Sequence, residues 1–120
     1  MLINLSNHPS SGWSVEQTNK AKELYGNLVD VPFPEVDPVG NEQYIHELTD
    51  EYLSRIISIQ SNSPKVVHVM GELTFCYALI KKLKMQGIKC IASTTVRDVV
   101  VGADGKITKA FKFVQFREYL

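Results

Sequence analysis

The segment Ser6-Asn7-His8-Pro9-Ser10-Ser11-Gly12-Trp13 gathers hydroxyls, an amide, an imidazole and the chain's single tryptophan. Hydroxyls and free backbone N–H groups ahead of a helix suit a phosphate. An indole can stack on a base. The plainer reading is loop chemistry, with Ser and Asn satisfying backbone groups and Trp13 capping the core. A ligand role for Ser6, Asn7, Ser10, Ser11 and Trp13 is favoured, because the segment follows a strand and precedes a helix. His8 divides evenly between a general acid or base near neutral pH and a hydrogen-bond partner for a loop carbonyl.

Two further segments carry suitable groups. In Gly71-Glu72-Leu73-Thr74, Gly71 allows close approach to the backbone and Thr74 adds a hydroxyl; Glu72 reads as a complement to a helix dipole. In Ser93-Thr94-Thr95-Val96-Arg97, Thr94 and Thr95 offer hydroxyls and Arg97 can hold a phosphate with two parallel bonds. The same threonines suit an ordinary strand, and the arginine suits a solvated surface. Glu35 and Asp37 read as solvated loop charge, His68 as a satisfied core histidine and His46 as surface. Neither a Gly-x-x-x-x-Gly-Lys loop nor a Gly-x-Gly-x-x-Gly fingerprint is present. His8, His46 and His68 are scattered, so no metal and no cofactor is expected. Cys76 and Cys90 read as buried free thiols.

The elements that must position these groups follow from apolar patterning. Leu2–Leu5, Leu28–Val31, Val66–Met70 and Ile88–Ala92 are short apolar runs, each ending in polar, proline or glycine residues. Val66–Met70 is almost continuously apolar, as in a strand covered on both faces. Three helices lie between the runs. The first has Ser14 as N-cap, Gln17 completing a capping box, and a stripe of Val15, Ala21, Leu24 and Tyr25. The second starts near Asn41 and carries Ile45, Leu48, Tyr52, Ile56 and Ile59. The third carries Leu73, Cys76, Leu79, Ile80 and Leu83 inward and Lys81, Lys82 and Lys84 outward. Prolines fix 32–40 as an extended loop. Beyond Arg97, Asp104-Gly105 marks the turn of a β-hairpin, so the fourth strand either extends or is followed by an antiparallel partner. The fold class is α/β: βαβαβα in a mainly parallel sheet with helices on both faces, then a hairpin. All four polar segments then lie along one edge of the sheet, where ligands bind in open α/β sheets.

The chain has 120 residues, 44% hydrophobic and 22% charged, which fits one domain over 1–120. Thirteen basic and thirteen acidic side chains cancel, which argues against binding a long nucleic acid. No run has the length of a membrane span, so no membrane partner is expected and a cytoplasmic location is the default.

On Leu2–Pro9, His68-Val69-Met70-Gly71-Glu72 and Ala92-Ser93-Thr94-Thr95 before a hairpin, the chain resembles the small stand-alone CRISPR-associated ring nucleases. These look like minimal CRISPR-associated Rossmann-like (CARF) domains. The resemblance implies a single CARF-like domain with a Rossmann-like three-layer sandwich. It also implies a homodimer that binds cyclic oligoadenylate, cyclic tetra-adenylate being the first candidate, and cuts it to end type III CRISPR antiviral signalling. Cleavage would be metal-independent, a ribose 2′-hydroxyl attacking its own phosphodiester to leave a 2′,3′-cyclic phosphate. Residue by residue, it implies phosphate and ribose contacts from Ser6–Ser11 and donors from Gly71 and Thr74. Arg97 would be the anion stabiliser and His8 the acid or base. Two other readings stand beside it: a non-catalytic cyclic-nucleotide sensor, and a nucleotide or sugar-phosphate hydrolase on the same fold.

Overall fold

In the computed structural model, which describes residues 1–120 except the side chain of Lys109, β1 (Leu2–Ser6) lies inside a five-stranded sheet. Around it stand β2 (Leu28–Asp30), β3 (Val66–Met70), β4 (Lys89–Val101) and β5 (Ile107–Glu118), in the order β2-β1-β3-β4-β5. The pairs β1–β2, β1–β3 and β3–β4 are parallel, and β4–β5 is antiparallel. The helices are α1 (Val15–Tyr25), α2 (Glu42–Ser58) and α3 (Leu73–Met85). The α/β class expected from the sequence is therefore observed.

Alternation along the strands divides the interior. Ile3, Leu5, Val67, Val69 and Cys90 face α2 and α3, where they meet Tyr52, Ile56, Phe75, Leu79 and Leu83. Leu2, Val66 and Ile91 face the other way and meet Ala21 of α1, with Trp13, Tyr25 and Phe116 packed around them. Asn4, Ser6 and His68 share this second face by the same alternation, and all three are buried.

Several details differ from expectation. Val15 and Leu24 of α1, and Leu73 of α3, are exposed; Ala21 alone of α1 is fully buried, and Phe75 takes the inward place in the first turn of α3. Lys82 is not on the solvated side. Its ammonium donates to the Asp50 carboxylate and Thr49 hydroxyl, each at 2.7 Å, and to the His46 carbonyl at 2.9 Å, tying α3 to α2. β4 extends past Ala92, one of the two arrangements expected there, because the β-branched run Thr94–Val96 and Val99–Val101 carries it on against β5. The register slips between Thr94 and Thr95, where Thr94 faces Gln115 and Thr95 faces Phe113, leaving Val114 as the extra residue of a bulge.

The ladder between β3 and β4 lasts only from Val66↔Lys89 to His68↔Ile91. Past that point the strands separate and their backbone groups find other partners. The Val69 carbonyl accepts the Tyr119 hydroxyl at 2.7 Å, and the Ser93 N–H faces the Met70 thioether at 3.3 Å. Thioether sulfur is a weak acceptor, so that N–H is only lightly held.

Candidate functional site

The separation of β3 and β4 exposes a chain of polar side chains on the α1 face. It starts at Asn4, whose Nδ2 donates to the Asp30 carboxylate at 2.9 Å and to the His8 carbonyl at 3.0 Å. Both amide hydrogens are then placed, so Asn4 Oδ1 is an acceptor. It lies 2.8 Å from the Ser6 hydroxyl, which donates to it, and 2.9 Å from His68 Nδ1. His68 Nδ1 must therefore carry the proton, and Nε2 presents its lone pair. Ser93 Oγ sits 2.6 Å from Nε2 and donates its hydroxyl hydrogen there. Gln17 Nε2 in turn donates to Ser93 Oγ at 2.9 Å.

Each link has a cause in the fold. Parallel register sets Asn4 beside His68, and two residues past Ile91 the β4 alternation brings Ser93 onto the same face. Gln17 is delivered by α1, whose N-cap Ser14 accepts the Gln17 N–H at 3.1 Å. The capping box is thus only half made, since the Gln17 side chain reaches across to Ser93. Trp13 roofs the network: its indole N–H donates to the His8 carbonyl at 3.1 Å, and its ring meets His68 edge-on at 5.2 Å. Among the described residues no buried side-chain nitrogen or oxygen lacks a partner.

Burial pushes the His68 imidazole down to about 4, and the nearby His8 adds to the shift. At neutral pH the ring is uncharged, consistent with the tautomer that the Asn4 bonds require. An uncharged ring can accept the Ser93 proton; an imidazolium cannot.

A groove of about 940 Å³ opens over this network. His8, Trp13, Gln17, His68 and Ser93 line one part of it, and Thr95, Phe111, Lys112 and Phe113 line another. Glu16 and Asp98 also reach it. His8, Gly12 and Trp13 of the first segment and Ser93 and Thr95 of β4 thus meet at one hollow, whose lining does not include Ser6, Ser10, Ser11, Thr94 or Arg97.

The remaining sequence-based site residues lie as follows. Ser6 is in the buried network. Ser10 bonds the Asp30 carboxylate through its hydroxyl at 2.7 Å, fixing the loop. Asn7 extends the β1–β3 ladder with its N–H on the Met70 carbonyl, and its side chain is exposed, as is Ser11. Thr94 Oγ1 donates to the Gln115 carbonyl across the hairpin. Arg97 is exposed opposite Phe111 and does not line the groove. Gly71 and Thr74 are not brought to it. Gly71 packs under the Phe33 ring, and the Thr74 hydroxyl donates to Glu72, whose carboxylate caps α3 through the N–H groups of Thr74 and Phe75. Thr74 lines a separate cavity of about 380 Å³ with His46 and Lys82.

Asn4, Gln17, Asp30 and His68 were not among the site residues expected from the sequence, although His68 read as a satisfied core histidine and Gln17 as a cap residue. A signal for two of them existed. A polar residue inside a strand covered on both faces needs a buried partner, and Asn4 and His68 interrupt two such strands.

Both cysteines are buried, and burial pushes the Cys76 thiol up to about 12 and the Cys90 thiol up to about 11. Among the described residues no cluster of three metal-binding side chains occurs, and no helix is long and apolar enough to cross a membrane. Neither a curated protein nor a solved structure matches the chain. A family profile does, over residues 1–117, and on that match the chain belongs to the family described as "Uncharacterized protein MJ1673 family".

Proposed function

We propose that the chain is a ring nuclease that binds a cyclic oligoadenylate in the groove beside Trp13 and opens it by attack of a ribose 2′-hydroxyl. The supporting observation is position. The groove lies at the carboxyl ends of parallel strands in a 2-1-3-4-5 sheet, between the loop that follows β1 and the diverging strands β3 and β4, on the edge where open α/β sheets hold ligands. In this reading the fold is a CARF-like three-layer sandwich. Trp13, Phe111 and Phe113 offer ring faces for adenines. The exposed His8 imidazole moves the proton, and the Thr95 hydroxyl meets ribose or phosphate.

The groove carries Lys112 against Glu16 and Asp98, a poor charge balance for a polyanion. A second copy of the chain resolves this. Val99, Val101, Ile107 and Phe111 lie on one face of the β4–β5 ribbon and are more than half exposed. A two-stranded ribbon alone is marginal in water. A homodimer covers that face, and Arg97, which stands on it, then acts across the two-fold axis.

The test is incubation with cyclic tetra-adenylate and cyclic hexa-adenylate in the presence of a chelator, followed by chromatography. The expected product is linear oligoadenylate ending in a 2′,3′-cyclic phosphate. Binding with no linear product turns the reading into that of a sensor, and absence of binding removes it.

A further inference from the structure

Ser93, His68 and Asn4 hold the relative positions of a nucleophile, its base and the group that orients the base. We propose that Ser93 is an activated nucleophile and that the groove hydrolyses carboxylic esters through an acyl-serine. This goes beyond ring cleavage by a ribose hydroxyl, which makes no use of Ser93 Oγ.

Four observations carry it. The Ser93 hydroxyl donates to His68 Nε2 at 2.6 Å, so its proton already points to an acceptor. The tautomer is the productive one, because the Asn4 amide is held with its oxygen toward Nδ1 by Asp30 and the His8 carbonyl. An amide presented the other way round would place the proton on Nε2 and block the transfer. The Ser93 N–H, held only by the Met70 sulfur, is a donor adjacent to the oxygen that would form on an attacked carbonyl. Ser93 also lines an open groove with room for a substrate.

The steps balance with water as the only co-reactant. Ser93 Oγ bonds to the carbonyl carbon, the carbonyl π pair moves to oxygen, and the hydroxyl proton passes to His68 Nε2. Collapse of the tetrahedral species breaks the ester C–O bond, and the departing alkoxide takes the proton from Nε2. Water then attacks the acyl-serine, giving a proton to Nε2. Release of the carboxylic acid returns that proton to Oγ. The Gln17 amide, donating to Oγ at 2.9 Å, stabilises negative charge on it when it is regenerated.

The test treats the native chain with a fluorophosphonate, which phosphonylates activated serines with loss of fluoride, and maps the adduct by peptide mass spectrometry. The expected result is one adduct, on Ser93, forming at least about 100-fold faster than on the exposed Ser63, the scale of general-base assistance. His68→Gln should bring Ser93 down to the Ser63 rate. Hydrolysis of p-nitrophenyl acetate should show a burst that Ser93→Ala abolishes. Absence of a Ser93 adduct on the native chain, labelling at the Ser63 rate, or a burst that survives Ser93→Ala would each overturn the proposal. Mapping on the native chain needs no variant to fold. None of these readouts uses a cyclic nucleotide, so the result is independent of the ring-cleavage test.

Discussion

Asn4 Nδ2 lies 2.9 Å from Asp30 Oδ1, and this bond at the outer end of the network acts on the proton at its inner end. A carboxylate can only accept, so the amide nitrogen of Asn4 must face it, and the amide oxygen must face His68. Asp30 is exposed on β2, whereas Asn4 and His68 are buried. A surface carboxylate thereby sets the tautomer of a core histidine, and that tautomer sets the direction of the Ser93 hydroxyl.

Stability should fall as the solution is acidified from about pH 6.5 toward pH 4. The unfolded imidazole titrates near 6.5 and the folded one at about 4. Above 6.5 neither state holds the proton. Below it the unfolded chain binds a proton that the folded chain refuses, so the unfolded state gains. The full loss is on the order of 3 kcal/mol. Glu72, held below its usual range by the N–H and hydroxyl donors of Phe75 and Thr74, adds a further loss below about pH 4.5. Urea unfolding measured at several pH values should show the slope, and His68→Gln should flatten it between 6.5 and 4.5.

Trp13→Ala should cost about 2–3 kcal/mol. It removes the edge contact with His68, the packing on Phe116 at 6.1 Å, and the donor to the His8 carbonyl. Trp13→Phe keeps a ring but not the donor and should cost about 1 kcal/mol. If the indole stacks on adenine, Trp13→Ala also weakens cyclic tetra-adenylate at least about tenfold. Unchanged affinity with lowered stability assigns Trp13 to the core alone.

Gly71→Ala should destabilise by about 1–3 kcal/mol. A β-carbon there would overlap the Phe33 ring, which is itself set edge-on against Phe75 at 5.2 Å. The overlap falls on the α2–α3 side of the sheet, but Gly71 adjoins Met70, whose sulfur faces the Ser93 N–H at 3.3 Å, so the fluorophosphonate rate at Ser93 reads whether that contact is displaced. Thermal unfolding and probe labelling on the same variant separate the two effects.

Cys76 and Cys90 should resist iodoacetamide in the native chain at pH 8 and react after unfolding. Their thiols sit well above the solution pH, and both side chains are buried. Thiolate is the reacting form. Intact-mass measurement counts the adducts before and after denaturant.

The sequence made the scaffold readable where apolar runs and helix signals were strong. Val66–Met70, Asn41 as the cap of α2, and the turn at Asp104-Gly105 all lie where the patterns put them. The edge that collects His8, Trp13 and Thr95 was also readable, because parallel strands put their following loops on one side. The inner network was not. Asn4 and His68 sit within apolar runs, and their meeting depends on register, which no local pattern encodes. Gln17 looked like a cap residue because the cap was real; its side chain was free to serve Ser93 instead. Gly71 and Thr74 follow the correct strand, but Glu72 and Phe33 occupy them. Arg97 was expected along the ligand edge of the sheet, and the β-branched run carried it out along the ribbon.

The proton on His68 is the most direct test of the site. A two-dimensional ¹⁵N–¹H spectrum of the histidine rings at pH 7 should show His68 protonated at Nδ1 and bare at Nε2, and unchanged down to about pH 5. A proton on Nε2, or a ring that titrates near pH 6.5, would contradict the network from Asp30 to Ser93.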